Sequence, residues 1–453
     1  MTNSPQGFEA PEVPQSKRTR SMLIAAFGTI VEWYDFSIYF YVATILTREF
    51  FGDRPDSLLL TLGVGAAGFL FRPLGAMVFG HLGDRVGRRA ALVISAGLIS
   101  VSMFGTALLP GIETAGIWGG IGMVVLRCVA GFSVGAEYTG TMVYLMESAT
   151  PGRRGLAASW AAANSEIGSL LAVGLGALFA SMLTPDAMQD WGWRILFVIG
   201  GILAALMIPL RSMLEETETT RRIRNAPPHE ESASVRSWKS SPLVLVLRHQ
   251  PRAVLVAFLI SSIGATSYFL GITYVPTYLT DQVHLEEAGS LGLGTIAAVV
   301  AIVVTPLFGL LADKVGRRRS LIVLVAGLVL TTIPVYALLH VGTSGVGIFA
   351  ASFLAVPAAG WSAIAASTIP EQFTAVGRFS GMAIGYNIAT VLFGGLSPLI
   401  ATGLIAATGL SLAPAIYATI IILAAGIPGL YLMRNMGGAR LDEVDRDDML
   451  VSV

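Results

Sequence analysis

Twelve apolar runs of membrane-spanning length confine this chain to one class of fold. Each helical crossing of a bilayer core needs about 20 predominantly apolar residues. Inside lipid, every backbone N–H and C=O must be satisfied within a helix or a closed barrel. The runs cover roughly residues 21–46, 57–82, 89–110, 115–146, 155–183, 193–211, 252–280, 289–311, 319–340, 345–369, 378–405 and 411–433. They are unbroken rather than alternating, so they read as helices and not barrel strands. The expected fold is an all-α polytopic membrane protein with twelve transmembrane helices. Runs 4, 5 and 11 exceed a simple crossing, which implies tilt or a break in each. Only 13% of the residues are charged, against about 25% in soluble domains.

Where the charges fall matters more than their formal sum of +0. Of the 29 Lys and Arg, Arg48, Arg54 and Arg194 lie in loops of one side, Arg72 and Arg127 lie within runs, and the rest lie at the termini and loops of the other side. The positive-inside rule places those termini in the cytoplasm and the chain in the cell membrane. Residues 1–20 carry no apolar core ahead of a cleavage site, so the first run is expected to act as its own insertion signal. A single cysteine, Cys128, excludes an intrachain disulfide. No phosphate-binding Gly-x-x-x-x-Gly-Lys-Ser/Thr loop, metal-ligand spacing or nucleophile elbow occurs, so neither ATP drive, a metal nor an enzyme is indicated. No cofactor, nucleic-acid partner or partner subunit is called for.

The first run carries two carboxylates, Glu32 and Asp35, on one helical face with Gly28 and Tyr39. An ionisable group at that depth costs about 2.5–3.5 kcal/mol on insertion scales and normally faces a bundle interior or wet cavity. Two arginines lie at comparable depth, Arg72 in run 2 and Arg127 in run 4. Arg127 and Tyr138, eleven residues on, fall within about 20° of one another on a helical wheel, whereas Glu137 points to another face. Run 5 carries Trp160 and Asn164 on one face, and Glu166, which reads either as a proton site or as a packing partner of Arg72. Runs 7 to 12 hold almost no interior charge and offer Tyr268, Tyr274, Tyr278, Trp361, Tyr386, Asn387 and Thr390.

A repeat divides the chain. Gly80-His-Leu-Gly-Asp84-Arg85-Val-Gly87-Arg88-Arg89 follows run 2, and Gly309-Leu-Leu-Ala-Asp313-Lys-Val-Gly316-Arg317-Arg318 follows run 8. Thr150-Pro-Gly-Arg153-Arg154-Gly before run 5 is echoed by Thr374-Ala-Val-Gly-Arg378 before run 11. Nearly equal offsets imply two pseudo-symmetric six-helix bundles. The expected organisation is a tail at 1–20, a first bundle at 21–211, a central loop at 212–251, a second bundle at 252–434 and a tail at 435–453.

These paired loops resemble the signature of the major facilitator superfamily. Val31-Glu-Trp-Tyr-Asp-Phe36, Phe71-Arg72-Pro-Leu-Gly75 and Gly131-Phe-Ser-Val-Gly-Ala-Glu137-Tyr138-Thr-Gly140 resemble its metabolite:proton symporter branch. That branch carries proline or glycine betaine, citrate, 2-oxoglutarate and shikimate. The resemblance implies transport by alternating access, driven by the proton gradient. It pairs Asp35 with Arg127 as the proton-coupling device, with Glu32 as a second acid. It also implies gating loops in which Glu147 and Arg154 lock against Asp84 and Arg88, with Asp313 and Arg317 as the counterpart in the second half. The substrate is expected to meet Arg72, Tyr39, Tyr138, Trp160, Asn164, Tyr386 and Asn387.

A tricarboxylate would need several arginines, because each carboxylate seeks a fork or ammonium partner. Two interior arginines against Glu32, Asp35, Glu137 and Glu166 favour a small zwitterion. Trp33, Tyr34, Tyr39, Tyr138, Trp160 and Tyr386 offer its cationic centre cation–π contacts of about 0.5–2 kcal/mol each. Tyr274-Val-Pro276-Thr-Tyr-Leu279 and Phe393-Gly-Gly-Leu-Ser-Pro398 also look like the proline/betaine members. A small organic acid is the alternative substrate, and a substrate-sensing receptor on the same fold is the alternative class. The short acidic C-terminal tail lacks heptads, so no coiled coil is expected there. The expected functional unit is a monomer in the bilayer.

Overall fold

The computed structural model describes residues 15–52, 54–85, 88–135, 137–147, 149–150, 152–213, 242–341, 344–374 and 378–434. The side chains of Asp84, Arg88 and Glu137 fall outside that description. So do most of the two expected tails and residues 214–241 of the central loop.

The described chain is a set of long helices. They are α1 (Gln15–Tyr41), α2 (Ser57–Arg85), α3 (Arg88–Leu108), α4 (Ile117–Glu147), α5 (Arg154–Met182) and α6 (Trp193–Ser212). The second six are α7 (Pro251–Thr273), α8 (Glu287–Val315), α9 (Arg317–Val341), α10 (Ser344–Thr368), α11 (Arg378–Thr408) and α12 (Ala413–Leu432). Among the described residues, 11 helices are long and apolar enough to cross a membrane. The exception is α1, whose apolar run is diluted by Glu32, Asp35 and its tyrosines. It also begins earlier than expected, taking Gln15–Arg20 into the helix. A short helix, Pro242–His249, occupies part of the segment expected to be loop.

Two of the three long runs break. In α4 the helix stops at Ser133 and restarts at Glu137, and the amide of Val134 bonds back only to Gly131 O at 3.4 Å. The Gly135 carbonyl left over accepts from Asn387 Nδ2 of α11 at 3.1 Å, so the two halves meet at the break. In α11 a π turn spans Val391–Gly395, and a matching one, Phe269–Thr273, ends α7. Each precedes a proline, Pro398 or Pro276, whose ring would collide with the carbonyl four residues back in a regular helix. Widening the turn to Leu396 N→Val391 O and Tyr274 N→Phe269 O relieves that clash. By contrast, α5 runs unbroken for 29 residues.

Small residues bring particular helices into backbone contact. A Cβ on Gly131 of α4 would strike the Gly68 carbonyl of α2, and one on Gly75 would strike the Phe132 carbonyl. This close glycine packing sets Arg72 and Arg127 on neighbouring, tightly apposed helices. Between the halves, Gly155 of α5 and Gly309 of α8 approach through each other's backbone in the same way. Around these contacts α1 packs on α5, α5 on α8, α3 on α6 and α7 on α11 and α12.

Candidate functional site

The acids of α1 and the arginines of α2 and α4 form two buried ion pairs side by side. Arg127 Nη2 donates to Asp35 Oδ1 at 2.8 Å, and its Nη1 reaches the Asp35 carbonyl at 3.4 Å. Arg72 Nη2 donates to Glu32 Oε1 at 3.2 Å. All four residues are buried, and they line a small cavity of about 20 Å³ together with Phe36, Tyr39 and Phe40. Aromatic faces cover the cations. Arg72 lies 4.9 Å from the Phe36 ring centroid and 5.0 Å from Phe69, and Arg127 lies 5.2 Å from Tyr39. Removing one partner of such a pair leaves a buried charge uncompensated, a loss of about 3–5 kcal/mol.

A second cavity, of about 50 Å³, opens where α1, α4 and α5 face α7, α10 and α11. Its wall is aromatic: Trp33, Tyr138, Tyr268, Phe269, Trp361 and Tyr386. The Trp33 ring lies 5.5 Å from Tyr138 and 5.3 Å from Tyr268, and Tyr138 lies 5.5 Å from Tyr386. Two buried polar atoms on this wall, Trp33 Nε1 and Ser261 Oγ, have no hydrogen-bond partner within the protein. A ligand with one acceptor and one donor or cationic group fits that chemistry. Behind Tyr268 sits Glu166, fully buried.

Several expected residues land elsewhere. Trp160 is half exposed on the outer face of α5, and neither it nor Asn164 lines the cavity. Those two share a face, but the inward face of α5 carries Ser165, Glu166 and Ser169. Asn387 supports the break in α4 instead of the cavity wall. Tyr39 bonds to the Thr61 carbonyl at 2.7 Å and packs on Arg127. Arg72 is engaged by Glu32, which removes the reading of Glu166 as its partner. Tyr138 and Tyr386 do line the cavity. Tyr268 and Trp361 line it as well, and nothing in their spacing separates a lining aromatic from a core one.

At the end bearing the arginine-rich loops, the halves are latched together. Asp313 accepts from the amides of Gly155 and Leu156 at 2.8 and 2.9 Å, capping the start of α5, and it pairs with Arg317 at 2.8 Å. Arg317 also reaches Glu371 at 3.2 Å, and Arg154 faces that same carboxylate. Glu147, at the end of α4, pairs with Arg378 of α11 at 2.6 Å. The expected lock of Glu147 against Asp84 and Arg88 involves side chains outside the described residues; among the described residues its ion-pair partner comes from the second half. At the opposite end, Glu287 of α8 accepts from Thr44 Oγ1 at 2.5 Å and lies 3.7 Å from Arg48.

A family model described as the Major Facilitator Superfamily matches residues 25–391. The chain is 32% identical to the ectoine/proline transporter of Corynebacterium glutamicum, over 93% of this chain and 85% of that one. It is 30% identical to the citrate-proton symporter of Klebsiella pneumoniae, covering 92% of each, and 30% identical to the alpha-ketoglutarate permease of Escherichia coli K12, covering 94% of this chain and 96% of that one. Among solved structures, the D-xylose-proton symporter superposes with a TM-score of 0.72 at 20% identity, over 93% of this chain and 99% of that one. At that identity the likeness concerns the fold.

Proposed function

We propose that this chain, which belongs to the major facilitator superfamily, is a proton-coupled symporter of a small zwitterion such as proline or a betaine, working by alternating access without a cofactor. One observation carries the choice of substrate. Both mid-depth arginines are already held by carboxylates, while the cavity between the halves is walled by aromatic rings with a carboxyl group behind them. Such a site suits a quaternary or secondary ammonium, at about 0.5–2 kcal/mol for each ring contact. It gives a tricarboxylate no unpaired guanidinium. The alternative, a small organic acid, draws on the citrate and alpha-ketoglutarate relatives.

Coupling follows from the ion pairs. Protonation of Asp35 removes the charge that holds Arg127, and an unpaired buried guanidinium is unstable enough to force a rearrangement. Arg72 meets a substrate carboxylate only after Glu32 takes up a proton or is displaced. The arginine-rich loops and both termini are assigned to the cytoplasm by the positive-inside rule. The transport unit is taken to be a monomer.

The test is uptake into proteoliposomes under an imposed pH gradient, comparing radiolabelled proline, glycine betaine, citrate and 2-oxoglutarate. Accumulation of proline or betaine that collapses with the gradient is expected. Uptake indifferent to the gradient would end the coupling claim, and preference for citrate would transfer the site to the alternative. Asp35→Asn is expected to abolish accumulation while leaving counterflow exchange. Full accumulation in that variant would remove Asp35 from the mechanism.

A further inference from the structure

Among the described residues, Glu166 is the one buried acid at mid-depth that the mechanism above leaves unused. It is completely buried on α5, its Oε1 has no hydrogen-bond partner, and its Oε2 receives only a long 3.5 Å contact from Tyr268 of α7. The titratable groups facing it are Tyr268, Tyr41 on α1 and Tyr138 on α4. The neighbouring α8 and α10 bring none to it, and no charged group among the described residues engages it. This sets it apart from Glu32 and Asp35, each held by an arginine.

Hydroxyl groups lead away from it in one direction. Ser169, one turn further along α5, faces Tyr268 and bonds to Tyr41 OH at 2.7 Å. Thr273, in the π turn of α7, brings its buried hydroxyl beside that of Tyr41. One turn beyond Tyr41, Thr44 bonds to the partly exposed Glu287 at the end away from the arginine-rich loops. Each of these side chains can donate and accept at once, which is what a relay of protons between hydroxyls requires. The relay also crosses from one half of the molecule to the other, because Glu166, Ser169 and Tyr41 belong to the first and Tyr268 and Thr273 to the second.

We propose that Glu166 is a proton-binding site separate from the two ion pairs, loaded through the hydroxyls of Tyr41, Ser169 and Tyr268 from the end opposite the arginine-rich loops. A proton arriving from water at that end bonds to the outermost hydroxyl. That hydroxyl passes its own proton inward, and the last O–H bond forms on the Glu166 carboxylate, leaving each hydroxyl neutral. Opening of the halves separates Tyr268 from Glu166, so the relay is intact only while this contact holds. That gives the protein a proton-dependent contact across its halves, lodged beside the substrate cavity.

The inference rests on the symport reading for its purpose but not for its test. Infrared spectra of the purified protein, recorded in H2O and D2O, read a protonated buried carboxyl by its C=O stretch without any substrate. The wild-type band is expected to disappear in Glu166→Gln and to return, shifted, in Glu166→Asp. Tyr268→Phe should keep the band and slow its deuterium exchange at least tenfold. An unchanged band in Glu166→Gln overturns the site, and unchanged exchange in Tyr268→Phe overturns the relay. If Glu166→Gln does not fold, the Glu166→Asp shift and the Tyr268→Phe exchange rate decide by themselves. In proteoliposomes, with radiolabelled proline and glycine betaine as probes, Glu166→Gln should keep counterflow and lower gradient-driven accumulation at least tenfold. Should wild-type protein accumulate neither probe, the substrate reading fails while the infrared result still stands.

Discussion

The two ends of the molecule are both bridged between the halves, but by different chemistry. At the arginine-rich end the bridge is dry: Asp313, Arg317 and Glu371 have side chains less than a tenth exposed, and Asp313 adds two backbone amides to its ion pair. At the other end Glu287 is 19% and Arg48 49% exposed, with 3.7 Å between them. Charge-assisted bonds to a helix N-terminus gain from the dipole and from exclusion of water, whereas exposed pairs are worth about 0–1 kcal/mol. Closure at the two ends is therefore unequal. The wetter end is the one expected to open first, and it is also the end toward which the Glu166 relay points.

The largest effect is expected from Asp313→Asn. The variant replaces the carboxylate that accepts from two amides of α5 across the halves, charge-assisted bonds whose loss comes to about 3 kcal/mol, equivalent to roughly a hundredfold shift toward opening at the arginine-rich end. Spin labels at Arg153 and Arg319, with Cys128 replaced, report the change as a longer distance population. No change in that distance would mean that the latch does not hold the halves together.

A smaller effect is expected from Arg378→Ala. Its partner Glu147 is 46% exposed, so solvent already weakens the pair, and a loss of about 1 kcal/mol corresponds to roughly a fivefold shift between the same labels. Arg378 also donates to the carbonyls of Pro370 and Phe373 at 3.2 and 3.3 Å. Glu147→Gln, which leaves those bonds intact, separates the ion pair from the local support. If Glu147→Gln shifts the distance more than Asp313→Asn, the ranking of dry over wet contacts is wrong.

How much of this was legible in the sequence depends on the kind of signal. The pairing of Asp35 with Arg127 was legible only through the family resemblance, which sets an acid of the first helix against an arginine of the fourth; membrane depth alone requires a partner without naming it. The pairing of Arg72 with Glu32 was not, since two acids and two arginines admit more than one matching and only the approach of α2 to α4 at Gly131 decides it. Trp160 and Asn164 were read onto the cavity because a fixed i, i+4 spacing identifies a shared face but not its direction. The face bearing Ser165, Glu166 and Ser169 turns inward instead. The breaks in α4 and α11 were foreshadowed by their length, but the π turn of α7 was not, although Pro276 stood in the sequence as its cause. Glu147 was legible as a latch residue, whereas its pairing with Arg378 was not, because only packing of the halves brings the start of α11 to the end of α4.

The smallest effect is expected from Glu287→Gln. The amide still accepts from Thr44 but no longer attracts Arg48, so the lost energy is that of a long, half-exposed pair, about 0.5 kcal/mol. The shift should therefore be about twofold, and it should run the other way, toward opening at the end where α8 begins. Spin labels at that end, on Asp56 and Leu410, read it directly. Added salt offers an independent check, since exposed charges are screened over about 10 Å at 0.1 M ionic strength while buried ones are screened much less. Raising the salt should bring wild-type protein to the distance distribution of Glu287→Gln and leave the arginine-rich end unchanged. Equal salt sensitivity at both ends would show that the latch around Asp313 is hydrated in solution, and the asymmetry drawn from burial would have to be given up.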